Sequence, residues 1–413
     1  MKAVAPLVLI LLAGCGQLVG GPPVGAGGDL KLYEASSTPG SPTLSVVDSH
    51  SHAIERRLPL GTASSDWTHL YSVNGSALVD SDPRTGTALH TLPLTGAYQL
   101  PPATMSGLPG GLSQNGRWLV LKAQLDSSQP PTLTRLLVVN TSFASVPLRV
   151  DLHGWFEFDA ISNDGQRLYL IEYLSGSDYR VRLYQVATRQ LDPNVVFDKS
   201  DPKESMTGTR LMGVPSSDGQ WLYSVYARQN AGAFIHVLNL SGSFAYCIDL
   251  PGSGYSSDPA ALDWSLALSP TGSILYAANA AMGTVSQVHT SNPFDATTAR
   301  ISLSSTSASS ITKNVQAKEL GANAAVVSPN GNTLVAAGSS GLVWVDIATM
   351  KELRHNLDTW SISSLALSPD GSALYALSEE GMIAEISMVS GEVKSAFESG
   401  AGYPLAIMRV AAA

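Results

Sequence analysis

Residues 361–397, SISSLALSPDGSALYALSEEGMIAEISMVSGEVKSAF, constrain the fold more than any other stretch of the chain. This stretch contains four short apolar runs, and the breaks between them contain Gly371, Gly381 and Gly391. Each run has the length of a typical strand, and Asp-Gly breaks supply the positive backbone dihedral angles that tight hairpin turns need. The stretch therefore predicts four antiparallel strands joined in sequence order.

The first turn and second strand of this unit recur at seven places. Each of these turns carries Asp, Asn or Thr, at Asp66, Asn115, Asp164, Asp218, Thr271, Asn330 and Asp370, and all but the first continue with glycine. Successive turns are 49 to 59 residues apart, and the last two are 40 apart. A four-stranded unit with this period is typical of a β-propeller blade. A helical solenoid would show an apolar spacing near 3.6 residues, which these runs lack.

The two ends of the chain predict one further blade between them. Residues 30–34, 43–48 and 53–58 have the pattern of second, third and fourth strands, and residues 404–410 that of a first strand. Pairing the two ends would close the ring and remove free sheet edges. The sequence therefore predicts an all-β propeller of eight four-stranded antiparallel blades, with seven as the alternative if the compact segment 62–94 is not a blade. The other interior blades are predicted at residues 111–152, 156–198, 210–250, 262–303, 321–356 and 361–397.

The N-terminal segment has the pattern of an export signal. Lys2 precedes an apolar run at residues 4–12, which is far shorter than the ~20 residues that a membrane-spanning helix needs. The run ends in Leu-Ala-Gly-Cys15, which resembles the bacterial lipobox. This resemblance implies removal of residues 1–14, lipidation of Cys15, and a position on the cell membrane or outer membrane facing the periplasm or the exterior. The alternative is an ordinary secretory signal with an incidental cysteine.

The remainder divides into a linker and one domain. Residues 15–29 form the lipidated cysteine and a flexible Gly- and Pro-rich linker, and residues 30–413 form the propeller. The formal net charge of −9 argues against nucleic acid as a partner, because no basic stripe is present to neutralise phosphates. With Cys15 lipidated, Cys247 has no partner for a disulfide, and the sequence predicts that it is a small buried apolar residue.

Three segments carry a family resemblance. LALSPTGSILYAA, VVSPNGNTLVAAGSSGLVWVDIAT and LALSPDGSALYAL, which begin at Leu266, Val326 and Leu365, resemble the repeats of bacterial YVTN/lactonase-like and WD40-like propellers. The resemblance implies a family that contains surface-layer and periplasmic binding proteins as well as 6-phosphogluconolactonase-like enzymes. The WD dipeptide and its companion GH are missing, so the resemblance implies the fold and leaves the function open.

Strand alternation places the short Asp-Gly turns on one face, here called the bottom face, and the longer connections on the opposite, top face. Enlarged loops on one face of a repeat protein usually mark a binding surface. The long top-face segments are predicted at residues 95–110, 124–131, 199–209, 251–263 and 304–320. The candidate binding residues on this face are Tyr98, Asp126, Tyr173, Tyr179, Arg180, Arg228, Tyr255 and Asp258.

One clustered metal-ligand spacing occurs in the sequence. Asp48, His50 and His52 lie within five residues, and alternate residues of an extended strand share one side. They fall in a predicted bottom-face turn without an evident fourth ligand, which favours an exposed polar turn. The sequence predicts no metal and no cofactor.

Two functions from different classes follow. The favoured one is a non-enzymatic binding or scaffold lipoprotein whose top face binds a protein or an envelope polymer. No G-x-S-x-G, H-E-x-x-H or P-loop motif occurs, so no catalytic residue is predicted. The alternative is a lactonase-like or other metal-dependent hydrolase, for which Glu157, Asp159 and Asp263 would have to converge at the ring axis.

Overall fold

The computed structural model describes residues 29–37, 42–124, 130–175, 178–198, 206–291, 296–300 and 324–413. These residues form an all-β ring of eight sheets, each built on four antiparallel strands, and these sheets are the eight blades of a β-propeller. The only helix in these ranges is a 3-10 turn at Pro259–Leu262, and none has the length and apolarity to cross a bilayer. The eight-bladed prediction is confirmed, and residues 62–94 do form a blade.

The first four blades contain these strands. Blade 1 consists of β1 (Leu30–Ser36), β2 (Thr43–Asp48), β3 (Ile54–Pro59) and the last strand of the chain; blade 2 of β4 (Thr62–Ala63), β5 (Leu70–Asn74), β6 (Ala77–Ser81) and β7 (Ala88–Pro93); blade 3 of β8 (Tyr98–Gln99), β9 (Trp118–Ala123), β10 (Leu133–Asn140) and β11 (Leu148–His153); blade 4 of β12 (Trp155–Ile161), β13 (Arg167–Ser175), β14 (Asp178–Gln185) and β15 (Gln190–Val195).

The remaining strands complete the ring. Two short strands lie between blades 4 and 5: β16 (Phe197–Asp198) pairs with the outer strand of blade 5, and β17 (Met206–Thr207) pairs with β14 of blade 4. Blade 5 consists of β18 (Thr209–Pro215), β19 (Trp221–Ala227), β20 (Phe234–Asn239) and β21 (Phe244–Asp249), and blade 6 of β22 (Ser265–Leu268), β23 (Ile274–Asn279), β24 (Thr284–His289) and β25 (Ala296–Arg300). Blade 7 consists of β26 (Ala325–Val327), β27 (Thr333–Gly338), β28 (Gly341–Asp346) and β29 (Lys351–Asn356), and blade 8 of β30 (Ile362–Leu367), β31 (Ala373–Ser378), β32 (Met382–Ser387) and β33 (Val393–Glu398), after which the chain ends in β34 (Pro404–Ala412) of blade 1.

Blade 1 is built from both ends of the chain, as the sequence predicted. β34 pairs antiparallel with β1, and Leu32 lies opposite Val410. The N–H of Ala413 donates to the carbonyl oxygen of Asp29 at 3.0 Å. The first and last described residues therefore lie together, and the strands from both ends of the chain pair within blade 1.

The turn after the first strand follows one hydrogen-bond pattern in the seven interior blades. In blade 8, the Ser368 hydroxyl donates to the Asp370 carboxylate at 2.6 Å and accepts the Ala373 N–H at 2.9 Å. Gly371 follows with a φ of 68°, a left-handed conformation that glycine adopts without steric cost. The equivalent serines are Ser64, Ser113, Ser162, Ser216, Ser269 and Ser328. The sequence signal for this turn is therefore a serine followed two positions later by Asp, Asn or Thr.

The hydrophobic core lies in layers between neighbouring blades rather than at the ring axis. Between blades 7 and 8, fully buried Trp344 packs with Leu365, Leu374 and Ile386. Successive side chains of a strand point to opposite faces of its sheet. Each strand therefore contributes alternate residues to the layer on one side of its blade and the remaining residues to the layer on the other side.

Glu34 on β1 is fully buried and makes stability depend on pH. Burial raises the pKa of its carboxyl from 4.5 to about 7, and the Ser399 hydroxyl opposes part of this rise. A raised folded-state pKa means that the folded protein binds the proton more tightly than the unfolded chain does. The contribution of Glu34 to stability is therefore highest below pH ~4.5 and falls as the pH rises from there to ~7.

We expect Glu34→Gln to raise the free energy of unfolding by roughly 3 kcal/mol at pH 8 and by little at pH 4.5. Urea denaturation at the two pH values measures this difference. Glu392→Gln, in an exposed turn, is the matched control and should change neither value. An equal effect of Glu34→Gln at both pH values would contradict this account of the carboxyl.

Candidate functional site at the axial mouth

An insertion interrupts the innermost strand of blade 3 and extends across the axial opening. β8 pairs with the end of β9, and the carbonyl of Gly111 then accepts the N–H of Val120 on the same strand. The residues between them, 101–110, form a hairpin that we call the axial hairpin. Its Met105 N–H donates at 3.0 Å to the carbonyl of Leu211, on the innermost strand of blade 5. The hairpin therefore bridges two innermost strands that have blade 4 between them.

Four half-buried side chains on β9, β12 and β13 form a group that we call the axial mouth: Lys122, Trp155, Glu157 and Tyr173. The Lys122 ammonium pairs with the Glu157 carboxylate, which also accepts the indole N–H of Trp155 at 3.2 Å. The rings of Trp155 and Tyr173 lie 4.5 Å apart at 31°. The axial mouth thus combines a neutralised ion pair with a partly exposed aromatic pair, and it lies at the top ends of β9, β12 and β13.

A second group, called the interblade cluster, lies deeper between blades 4 and 5: Asp159, Tyr179, Arg210, Ser224 and Tyr226. The Arg210 guanidinium donates to the Asp159 carboxylate at 2.9 Å and to the carbonyl of Ala103 in the axial hairpin at 3.1 Å. The rings of Tyr179 and Tyr226 stack at 5.6 Å across the interface. The cluster therefore joins both blades and the hairpin.

Gly213 makes room for this arrangement. A Cβ at this position would lie 2.9 Å from the Ser224 hydroxyl oxygen and 3.2 Å from a terminal nitrogen of Arg210. Gly213 and Ser224 are Cα partners in the β18–β19 pairing, as are Arg210 and Tyr226. The absence of a side chain thus lets the guanidinium approach β19 closely.

Five buried atoms of the interblade cluster have no hydrogen-bond partner among the described residues. They are Asp159 Oδ2, Arg210 Nε, Ser224 Oγ, Tyr179 Oη and Tyr226 Oη. Burial raises the pKa of both phenols well above the usual value of 10, with the nearby Asp159 carboxylate as a further cause. Single buried atoms elsewhere in the ring, among them Ser45 Oγ and Trp344 Nε1, also have no partner among the described residues.

The structure brings some predicted site residues together. Tyr173 and Tyr179 lie on neighbouring strands of blade 4 with ring centroids 6.3 Å apart. Arg228 and Tyr255 meet on blade 5, where the Tyr255 N–H donates to the Arg228 carbonyl at 3.1 Å. The Arg228 guanidinium lies 4.9 Å over the ring of Phe234, so it is held against its own blade.

Other predicted site residues lie apart from these. Tyr98 was placed in a long top-face loop, but it lies in β8 and is buried in the core between blades 2 and 3. Arg180 is exposed on β14. The Asp258 carboxylate accepts the N–H of Ala260 at 3.1 Å and caps the 3-10 turn. Asp126 and Cys15 lie outside the described residues, as do the predicted signal segment and most of the linker.

The three acidic residues that an axial metal would require form ion pairs or hydrogen bonds with other side chains. Glu157 and Asp159 share β12 and pair with Lys122 and Arg210, respectively. Asp263 accepts hydrogen bonds from the Ser339 N–H and hydroxyl on blade 7, at 3.2 and 2.6 Å. Burial raises its pKa. Across the described ranges, no three His, Cys, Asp or Glu side chains form a group that could hold a metal ion.

The Asp48–His52 segment forms a bottom-face turn. The Asp48 carboxylate accepts the Lys31 ammonium and the Ser51 N–H, each at 2.7 Å, and these contacts lower its pKa. His50 is exposed, and the His52 ring stacks on Phe397 at 3.7 Å. The contacts of these side chains therefore stabilise the turn and its packing on blade 8.

Sequence reasoning missed Lys122, Trp155, Arg210, Ser224 and Tyr226. One signal was present, because the second strands of blades 3, 4 and 5 contain charged or aromatic residues near their top ends (WLVLKA, RLYLIEYLS and WLYSVYA). The equivalent strands of blades 6 and 7, ILYAAN and TLVAAG, contain small residues there. A comparison of equivalent strand positions would have pointed to blades 3–5.

The ring and its axial hairpin define an eight-bladed β-propeller with an asymmetric axial opening. Two solved structures are similar to it: apo AztD from Citrobacter koseri, at 11% identity and a TM-score of 0.55, and a crystal structure of Citrobacter koseri AztD, at 10% identity and a TM-score of 0.52. Both alignments cover 93% of this chain and 98% of the AztD chain. No family model matches the chain, and no curated protein matches it either. At this identity the similarity establishes the fold alone.

Proposed function

We propose that this chain is a non-enzymatic, membrane-anchored propeller that binds a protein or an envelope polymer through its top face. The observation that carries the proposal is the partly exposed pair of Trp155 and Tyr173 at the axial mouth, whose ring centroids lie 4.5 Å apart. The aromatic contacts continue inward from Tyr173 through the buried Tyr179 and Tyr226 to Phe234, with ring centroids 5.2 to 6.3 Å apart. Half-buried aromatic side chains with charged neighbours are typical of interaction hot spots.

The position of the N-terminal end of the described chain supports a membrane-anchored propeller with an accessible top face. The carbonyl of Leu30 accepts the N–H of Ser49 in a bottom-face turn, so the described chain begins on the bottom face. A lipid at Cys15 would then hold the bottom face toward the membrane and leave the top face accessible to partners. The family that the repeat segments resemble contains binding proteins of this kind and enzymes.

The hydrolase alternative receives less support from the geometry. It needs carboxylates free to hold a metal at the axis. Lys122 and Arg210 occupy positions beside Glu157 and Asp159 that a divalent cation would have to take, and they neutralise both carboxylates. We therefore prefer the binding function.

Site-specific photo-cross-linking on intact cells tests the proposal. A benzophenone amino acid is placed at Arg180, exposed on the top half of blade 4, or at Gln166, exposed in the bottom turn of the same blade. Mass spectrometry and glycan detection then identify the adducts. We expect one reproducible adduct from position 180 and none from position 166. Equal labelling from both positions, or no adduct from either, would reject a top-face partner.

A further inference from the structure

Three arginines lie together on the bottom face, between blades 1 and 2. Arg56 is on β3, Arg84 is in the turn between β6 and β7, and Arg409 is on β34. Burial raises the pKa of the Tyr33 phenol, and all three arginines oppose this rise, so each lies close enough to act on one side chain. Asp82 is the one carboxylate that also affects this pKa. These three arginines, which we call the arginine cluster, therefore give local positive charge to a chain whose formal net charge is −9.

The charges of the arginine cluster are incompletely neutralised. The Arg84 side chain is 73% exposed, and its Nε lies 3.5 Å from the Asp82 carboxylate. Within the described ranges, the half-buried Arg56 and Arg409 form no ion pair: Arg56 donates to the carbonyl of Arg84, and the Arg409 guanidinium lies over an aromatic ring. Arg210, in contrast, pairs with a buried carboxylate at 2.9 Å. Removing a charge from water is costly without a counter-ion, so the cluster favours binding of an anion.

The aromatic ring under Arg409 belongs to Trp67, which occupies the position that glycine takes in the other six interior turns. Its φ of 58° is a left-handed conformation that is strained for a bulky side chain. The ring centroid lies 5.1 Å from that of Tyr33 and 5.3 Å from the Arg409 guanidinium carbon. The Asp66 carboxylate beside it accepts the Ser64 hydroxyl at 2.6 Å within the turn. Backbone strain of this kind concentrates at binding sites, and tryptophan is enriched where proteins meet the membrane surface.

We propose that the arginine cluster binds the phosphate group of an anionic phospholipid headgroup, so that the ring contacts the membrane at the bottom rim of blades 1 and 2. This inference rests on the proposed function for the orientation of the bottom face, and it adds a specific lipid contact to that function.

The donors of the cluster match phosphate chemistry. A guanidinium group presents planar pairs of N–H donors that fit phosphate oxygens, and it keeps its charge at any physiological pH. Three guanidinium groups beside one carboxylate leave positive charge that a phosphodiester neutralises and a zwitterionic headgroup does not. The described chain also begins on this face of blade 1, where the carbonyl of Leu30 accepts the N–H of Ser49. A lipid at Cys15 would therefore bring the membrane surface to the same side of the ring as the cluster.

Co-sedimentation with vesicles tests the site, with the full chain carrying Cys15→Ser so that no lipid is attached to the protein. One set of vesicles contains phosphatidylcholine alone, and the other contains phosphatidylcholine mixed with phosphatidylglycerol. The apolar segment at residues 4–12 is present in every sample, so the measured quantity is the ratio of the two partition coefficients. We expect at least about tenfold stronger binding to the phosphatidylglycerol vesicles, against the net charge of the chain. Arg84→Gln and Arg409→Gln should each lower the ratio about fivefold.

Arg117→Gln is the matched control, because Arg117 is an exposed arginine in the bottom turn of blade 3, and it should leave the ratio unchanged. Far-UV circular dichroism confirms that each variant is folded. If Arg409→Gln is not folded, Arg84→Gln decides, because the Arg84 side chain is exposed.

Three results would overturn the proposal. The first is equal binding to both sets of vesicles, and the second is an equal loss from Arg117→Gln and Arg84→Gln. The third is saturable binding of inorganic phosphate in calorimetry without a preference for phosphatidylglycerol vesicles, which would assign the cluster to a free ion. Because the protein in this experiment carries no lipid, its result is independent of lipidation at Cys15. The cross-linking experiment on cells tests the top-face partner separately.

Discussion

Arg210→Ala is expected to lower the free energy of unfolding by about 3–5 kcal/mol, one of the largest losses that any single substitution in this chain should cause. The substitution leaves the Asp159 carboxylate, 3% exposed, without its counter-ion. It also removes the bond to Ala103 that holds the axial hairpin to blade 5. Urea denaturation monitored by tryptophan fluorescence measures the loss.

A double variant tests whether the loss of stability comes from the unpaired Asp159 carboxylate. Asp159→Leu combined with Arg210→Met removes both charges, so the double variant should lose less stability than Arg210→Ala alone. Arg180→Ala, an exposed arginine on blade 4, should change stability by no more than about 0.5 kcal/mol. If Arg210→Ala and Arg180→Ala had equally small effects, the ion pair would not be the buried link described here.

Removal of residues 404–413 should abolish cooperative folding. β34 is the innermost strand of blade 1 and buries Ala406, Ile407 and Val410. Its loss exposes the core surface that these side chains cover, which lowers the free energy of unfolding by about 1.5–3 kcal/mol for each large side chain. It also leaves β1 as an unpaired edge strand. We expect a broad urea transition and concentration-dependent aggregation in size-exclusion chromatography. Removal of residues 412–413 alone, which are exposed, is the control and should leave the transition intact. A sharp, unshifted transition in the longer truncation would show that blade 1 contributes little.

Much of the fold could be predicted because its signals are local. Each blade is a meander in which neighbouring strands are joined by short turns, and the turn at Ser368–Gly371 repeats with small changes. The composite blade was predictable for a different reason, since each chain end has an incomplete set of strands. The number of blades was the open point. It depended on blade 2, whose first strand, Thr62–Ala63, has only two residues.

The site was predictable only in part, because its contacts connect residues far apart in the sequence. Tyr173 and Tyr179 were identified because strand alternation placed them on the top face. The Arg210–Asp159 contact spans 51 positions and the Arg210–Ala103 contact spans 107. The sequence around either residue of such a pair contains no pattern that indicates its partner. The axial hairpin was expected as an ordinary loop, because its sequence does not show that Tyr98 continues the innermost strand of blade 3.

Disulfide trapping of blade 1 is the most direct measurement of how the ring closes. Lys31 and Ala411 are Cα partners on β1 and β34, and such partners have a separation suited to a disulfide. We expect cysteines at these two positions, in a Cys15→Ala, Cys247→Ser background, to form an intramolecular disulfide on mild oxidation, detected by peptide mass spectrometry. Cysteines at Lys31 and Lys394, on the outer strand of blade 8, should remain reduced. A failure of the 31–411 pair to form, or equal trapping of both pairs, would contradict a ring closed by its two ends.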